Sequence, residues 1–132
     1  MRALDIMTED VITTTRNATI GDALELMYGN DIRHLPVVRD RTLIGILSDR
    51  DLRGVFLPDP DDPGVIDVHQ LDVRVTELMT GNPVSVGPET DIDEVIEVMI
   101  DNRVGAVPVV TGDELVGLVS YVDVLRAAIG KL

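Results

Sequence analysis

Two stretches of this chain set a glycine, a serine and a carboxylate at the same spacing: Gly45-Ile-Leu-Ser-Asp-Arg-Asp51 and Gly117-Leu-Val-Ser-Tyr-Val-Asp123. In each, an apolar β-type run gives way to polar residues, as where a strand runs into a helix. Ser-x-x-Asp at a helix start is a capping box, with the hydroxyl taking the N3 amide and the carboxylate near the positive end of the helix dipole. The same geometry can also bind a ligand. A helix N-terminus offers N–H groups to an anion, the Ser hydroxyl can join them, and a carboxylate one turn in can accept both hydroxyls of a ribose. The glycine would let a ligand approach the backbone closely. On local grounds both readings stand, a cap or a nucleotide site.

The two stretches belong to a longer repetition. A shift of 72 positions carries Asp5-Ile-Met-Thr8 onto Glu77-Leu-Met-Thr80, Leu35-Pro-Val-Val38 onto Val107-Pro-Val-Val110, and Asp51 onto Asp123. Internal repetition decides architecture before any other feature does. Two copies are too few for a solenoid, so the expectation is two halves paired about a pseudo-two-fold axis, with two equivalent clefts. The repeats run over 1–57 and 73–132, joined by a linker at 58–72 whose Pro58-Asp-Pro-Asp-Asp-Pro-Gly64 can be neither helix nor central strand. His69, at the end of that connection, reads as a surface residue. Neither copy holds enough core to stand alone, so the pair should fold as one unit.

Each copy reads as short helix, strand, helix, two strands, final helix: an α/β (α+β) fold with small mixed sheets packed by helices. Ile20, Ala23, Leu24, Met27 and Tyr28 form the apolar stripe of a core-facing helix, repeated by Ile92, Val95, Ile96, Met99 and Ile100. Thr19-x-x-Asp22 and Asp91-x-x-Glu94 supply N-cap and N3 residues. Leu35–Val38 with Leu43–Leu47, and Val107–Val110 with Leu115–Val119, read as hairpins across four-residue polar turns. Pro36 and Pro108 should sit at a strand beginning or an edge, since proline donates nothing to a ladder. Val11–Thr14 and Val84–Val86 would be the first strands.

The bulk properties narrow the function. The 132 residues are 45% apolar, enough for one compact core, and no run approaches the roughly 20 apolar residues of a membrane span. The start of the chain has no apolar secretory region, and the absence of cysteine excludes disulfides and thiolate metal sites, so a soluble cytoplasmic domain is expected. With 24 acidic and 11 basic residues the net charge is −13, which opposes binding to a phosphate backbone; neither nucleic acid nor membrane is an expected partner. The acidity is uneven. Arg33, Arg39, Arg41, Arg50 and Arg53 crowd the first repeat, where the second has Gly105, Thr111, Asp113, Val122 and Leu125. That cluster is either ordinary solvated surface or the cations for an anionic ligand.

The Asp-Ile-Met-Thr opening, the Pro-Val-Val strand, the Gly-h-h-Ser-x-x-Asp exit and their doubling give the chain, over nearly its whole length, a close similarity to the tandem CBS-domain family. The chain resembles the paired (Bateman) modules of this cystathionine-β-synthase-type domain. The resemblance implies an adenosine ligand (AMP, ADP or ATP) in the clefts between paired repeats, with Mg2+ as a companion of a polyphosphate and no catalytic cofactor. It implies ribose contacts from Asp51 and Asp123. Ser48 and Ser120 would lie near ribose or phosphate, and Arg50 would meet phosphates. Thr13 and Ser85 would lie near the base with the residues around Pro36 and Pro108, and the base would rest on Ile12, Val37, Val84 and Val109. Arg33 and His34 are further candidates for phosphate. It also suggests a homodimer, for which the apolar residues Val122, Leu125 and Ile129 of the final helix offer a face, unless they complete the intrachain core.

Departures between the copies matter as much. Tyr121-Val122 replaces Asp49-Arg50, so ribose recognition is supported twice and phosphate recognition once. Catalysis needs a nucleophile with its base, an acid–base pair or an open metal site, and two histidines without cysteine supply none at suggestive spacing. No catalytic residue or metal site is expected. The leading expectation is a regulatory sensor of adenine nucleotides acting on a separate effector protein, since repeats and linker account for nearly every residue. The alternative is a ligand-free dimerisation or interaction scaffold.

Overall fold

A computed structural model describes residues 1–54 and 68–131. The proline-rich linker expected at 58–64 and the end of the first repeat at 55–57 lie outside the described residues. In chain order the elements are α1 (Ala3–Ile6), β1 (Thr14–Thr15), α2 (Ile20–Gly29), β2 (His34–Arg39), β3 (Thr42–Ser48) and α3 (Asp49–Arg53). Two 3-10 turns follow, Val68–Asp72 and Val75–Glu77, and then β4 (Thr80–Gly81), α4 (Ile92–Asn102), β5 (Ala106–Thr111), β6 (Glu114–Ser120) and α5 (Tyr121–Ala128). The expected mixed α/β architecture is present.

The chain gathers into two compact units whose membership crosses the sequence repeats. Among the described residues, one unit holds 12–40, 44–54 and 68–82; the other holds 1–11, 41–43 and 83–131. The Asp-Ile-Met-Thr opening of the first repeat therefore lies in the unit of the second, and the matching opening at 77–80 lies in the unit of the first. The exchange is reciprocal to the residue. Thr8 bridges Leu118, and Thr80, the equivalent of Thr8, pairs with Ile46, the equivalent of Leu118. Ala3 donates its amide to Thr90 O at 2.8 Å, and Val75 to Ala18 O at 2.9 Å. Ala3 and Val75 are both fully buried, one in each core.

In the unit built on the first repeat, β1 runs parallel to β2 through Thr14↔Val37 and Thr15↔Val38, β2 lies beside β3, and β4 is antiparallel to β3. Its core is Ile20, Ala23, Met27, Leu35, Val37, Leu47, Leu52 and Val75. In the other unit β5 and β6 form an antiparallel hairpin from Ala106↔Ser120 to Thr111↔Glu114, with a bulge at Val109/Val110. Its core is Ala3, Val86, Val95, Met99, Val107, Val109 and Val119. β-branched residues are abundant in the strands of both units, as half-buried pleated surfaces favour.

Local details depart from expectation in informative ways. Both hairpins turn on two residues, Asp40-Arg41 and Gly112-Asp113, rather than four; Asp40 and Gly112 take positive φ, which matches the twist of paired strands. The first strands are shorter than expected: Thr14–Thr15 in one copy and a single parallel bridge, Val86↔Val109, in the other. The apolar helix stripes face the cores except at their ends, where Tyr28 and Ile100 are 81% and 68% exposed. Thr19 and Asp22 form the expected capping box, whereas Asp91 bonds the Asp93 amide and leaves Glu94 out of the cap. The expected edge or end position of the prolines holds only loosely: Pro36 is the third residue of β2, just ahead of the β1 pairing, and both prolines are fully buried.

Candidate functional site

Each Ser-x-x-Asp stands where a strand of its unit passes directly into a helix, β3 into α3 and β6 into α5. Ser48 is the N-cap with extended backbone (φ −115°, ψ 163°), and Ser120 repeats it (φ −100°, ψ 164°). In the first copy the Asp51 amide donates to Ser48 Oγ at 3.3 Å. The Ser48 amide and hydroxyl both donate to Asp51 Oδ2, at 2.8 and 3.0 Å. The second copy has the same three bonds at the same distances. The capping reading is thus realised in full, twice.

These bonds restrict what either site can still offer. Two of the lone-pair positions of each carboxylate, both on Oδ2, are engaged, which leaves Oδ1 as the acceptor for any further donor. The Asp49 amide donates to Arg33 O, and the Tyr121 amide to Gly105 O, each at 2.9 Å. With the Ser and Asp amides also engaged, the amides of Arg50 and Val122 are what remain of the first turn. The cradle of free N–H groups expected at the helix start is therefore largely spent on the fold itself. An anion here would have to be held by side chains.

The side chains differ between copies. In the first, His34 is half-buried at the start of β2. Burial holds it below the ordinary histidine value near 6.5, opposed by the charges of Asp49 and Asp51 and reinforced by those of Arg33 and Arg50. Arg50 is exposed and joins no ion pair among the described residues. In the second copy the matching positions are Ala106, Tyr121, Gly105 and Val122. Ala106 is buried; Tyr121 and Val122 are 40% and 42% exposed.

Of the residues expected near a base, Thr13 is half-buried and Ser85 exposed, just ahead of the short β1 segment and the Val86 bridge. Val37 and Val109 are fully buried members of the two cores, so Ile12 and Val84, which keep exposed surface, are the apolar residues with area to give. A groove lined by Leu24, Met27, Ile32, Leu52, Arg33, Asp49 and Arg53 lies in the first-repeat unit, but neither Ser48 nor Asp51 lines it.

The glycines of the two motifs have a role that sequence reasoning missed. A Cβ on Gly45 would overlap Met79 Sδ, and one on Gly117 would overlap Met7 Sδ and lie 3.2 Å from Thr8 O. Both glycines make room for the methionine of an exchanged opening segment, a packing role beside the expected one of admitting a ligand. The sequence carried only part of the signal: each methionine recurs at the 72-residue shift, as does each glycine, but nothing in that shift says which covers which.

The sequence pattern of the CBS domain matches residues 3–57 and 75–130. The YlbB protein of Bacillus subtilis is 31% identical over 123 residues, spanning 90% of this chain and 76% of that protein. An inosine-5'-monophosphate dehydrogenase of Korarchaeum cryptofilum is 32% identical over 124 residues, but the chain spans only 23% of its length. The crystal structure of the CBS domain pair of protein MJ0100 in complex with 5'-methylthioadenosine and S-adenosyl-L-methionine superposes with a TM-score of 0.84 at 26% identity, covering 100% of this chain and 98% of that one. The structure of CBSX2 in complex with AMP gives a TM-score of 0.82 at 26% identity, covering 97% and 96%.

Proposed function

The chain belongs to the CBS-domain family, and from that premise we propose that it is a regulatory module that binds adenine nucleotides through its two Ser-x-x-Asp sites. The observation that carries this reading is the doubled carboxylate geometry. Asp51 and Asp123 are each held by a serine through one oxygen, which leaves Oδ1 as a preoriented acceptor for a ribose hydroxyl. Neighbours of the same fold carry AMP, S-adenosyl-L-methionine and 5'-methylthioadenosine, which share the adenosine moiety. In this reading AMP, ADP or ATP is the ligand, Thr13 with Ile12 and Ser85 with Val84 flank the base, and the repeats run over 1–57 and 73–132. The chain performs no chemistry itself. It works in the cytoplasm, and a separate effector protein reads the liganded state.

The complete caps favour one other reading, a ligand-free interaction scaffold. Asparagine separates the two, because its carbonyl oxygen can keep the cap while its amide turns a donor toward the ribose. Calorimetry with ATP and 2'-deoxy-ATP is the test. We expect weaker binding of the deoxy nucleotide and loss of affinity in Asp51→Asn with little change in stability; equal binding of both nucleotides by parent and variant would refute the nucleotide reading.

The module is further proposed to act as a homodimer. No residue of α5 is fully buried, and Leu125 and Ile129 are 63% and 79% exposed, so an apolar face is available for a second copy. Leu125→Lys with Ile129→Lys should turn a dimer into a monomer by light scattering; an unchanged mass would place the interface elsewhere.

A further inference from the structure

We infer that the two sites divide adenosine ligands by charge: the Ser48/Asp51 site takes a nucleotide phosphorylated at the 5' position, and the Ser120/Asp123 site takes an adenosine whose 5' substituent is uncharged. This rests on the adenosine reading proposed above and narrows it, confining the phosphorylated nucleotide to the first site.

The three Ser–Asp bonds have the same lengths in both copies, and the first-turn amides are engaged in the same way. Neither ribose recognition nor backbone N–H groups can therefore tell a phosphorylated ligand from an unphosphorylated one. Only side chains can.

At the first site those side chains are ionic. Arg50 follows the N-cap serine by two residues, is exposed and joins no ion pair among the described residues. His34, at the start of the neighbouring strand, lies within electrostatic reach of Arg50, Arg33, Asp49 and Asp51, so these groups form one cluster. An arginine there can meet a phosphate by charge-assisted, bidentate bonds.

At the second site every one of those charges except the ribose carboxylate is gone. Val122 stands for Arg50, Tyr121 for Asp49, Ala106 for His34 and Gly105 for Arg33. Of the five matching positions only Asp123 keeps a charge, a negative one in a chain of net charge −13, which disfavours a phosphate tail. The nearest cation along α5, Arg126, lies in its last turn, away from the serine. Tyr121 and Val122 instead present exposed apolar and aromatic surface, suited to a neutral substituent.

The test is calorimetric titration of the full chain with ATP and, separately, with adenosine, using the parent, Asp51→Asn, Asp123→Asn, Arg50→Val and Val122→Arg. We expect ATP binding to be lost in Asp51→Asn and kept in Asp123→Asn. Arg50→Val should weaken ATP by about tenfold or more, the size of one charge-assisted contact. Adenosine should lose its Ser120/Asp123 binding component in Asp123→Asn and be unaffected by Arg50→Val. Val122→Arg should create a second ATP site. Arg50 and Val122 are exposed, so these two variants report binding even where the aspartate variants lose stability. ATP filling both parental sites equally, or binding Arg50→Val as tightly as the parent, overturns the division while leaving the adenosine reading intact. Parental protein that binds neither ATP nor adenosine overturns both.

Discussion

Around Ser48 and Asp51, the side chains of Arg33, Asp49 and Arg50 act on a half-buried histidine; around Ser120 and Asp123, the same places hold a glycine, a tyrosine, a valine and a buried alanine. The hydrogen bonds beneath are the same in both. Each unit spends its serine, one carboxylate oxygen and most of its first-turn amides on closing the strand-to-helix corner. What the comparison teaches is a separation of tasks. Backbone and cap build the corner alike twice, and functional difference is confined to side chains that the corner holds but does not need. Such positions can vary at little cost to folding, because surface substitutions away from caps and cores change stability by about 0.5 kcal/mol or less.

The strongest way to break the likeness of the two corners is to fill their glycines. Alanine at either position must displace the methionine of the exchanged opening. At Gly45 all three of the nearest atoms belong to the Met79 side chain, which is unbranched and can rearrange. At Gly117 the new methyl would also meet Thr8 O, a backbone atom fixed by its pairing with Leu118. Overpacking typically costs about 1–3 kcal/mol, so Gly117→Ala should fall at the upper end and Gly45→Ala at the lower. Urea denaturation of both variants measures this. Equal losses would mean that the Thr8 strand yields as easily as a methionine side chain.

That pair of glycines also marks the boundary of what the sequence makes legible. The two copies, the stripe of α2 and α4, the hairpins and the Ser-x-x-Asp caps all follow from local pattern, because period and spacing are local properties. The exchange of opening segments does not. A shift of 72 residues maps Met7 onto Met79 and Gly45 onto Gly117, but it reads the same whether Met7 covers Gly45 or Gly117. Only the pairing of Thr8 with Leu118 distinguishes them, and that is a long-range contact. The Ser-x-x-Asp corners were legible in residue identity, since Ser48 with Asp51 and Ser120 with Asp123 stand at the helix starts where local reading put them. The availability of the candidate residues was not legible. That Arg33 O takes the Asp49 amide, or that Val37 and Val109 are buried in cores, depends on strands far apart in sequence.

A smaller effect sharpens the comparison through acid rather than volume. His34 is a titrating group in the first corner with no counterpart in the second, where the position is Ala106. Burial is the main cause of its depressed pKa; Arg33 and Arg50 push the same way, while Asp49 and Asp51 pull against them. In the folded chain it therefore sheds its proton below the pH at which an unfolded histidine does, near 6.5. Between those two points the unfolded chain binds more protons, so stability rises with pH across that window. The contribution is fully present above about pH 6.5 and is lost as pH falls through the window toward the folded value. His34→Gln keeps a polar side chain there and removes the titration. Urea midpoints at pH 5.5 and 7.5 should thus lie closer together in His34→Gln than in the parent, the carboxylates contributing alike to both. Identical pH dependence in the two proteins would mean that Asp49 and Asp51 compensate the burial of His34, and that the ionic corner titrates no differently from its apolar counterpart.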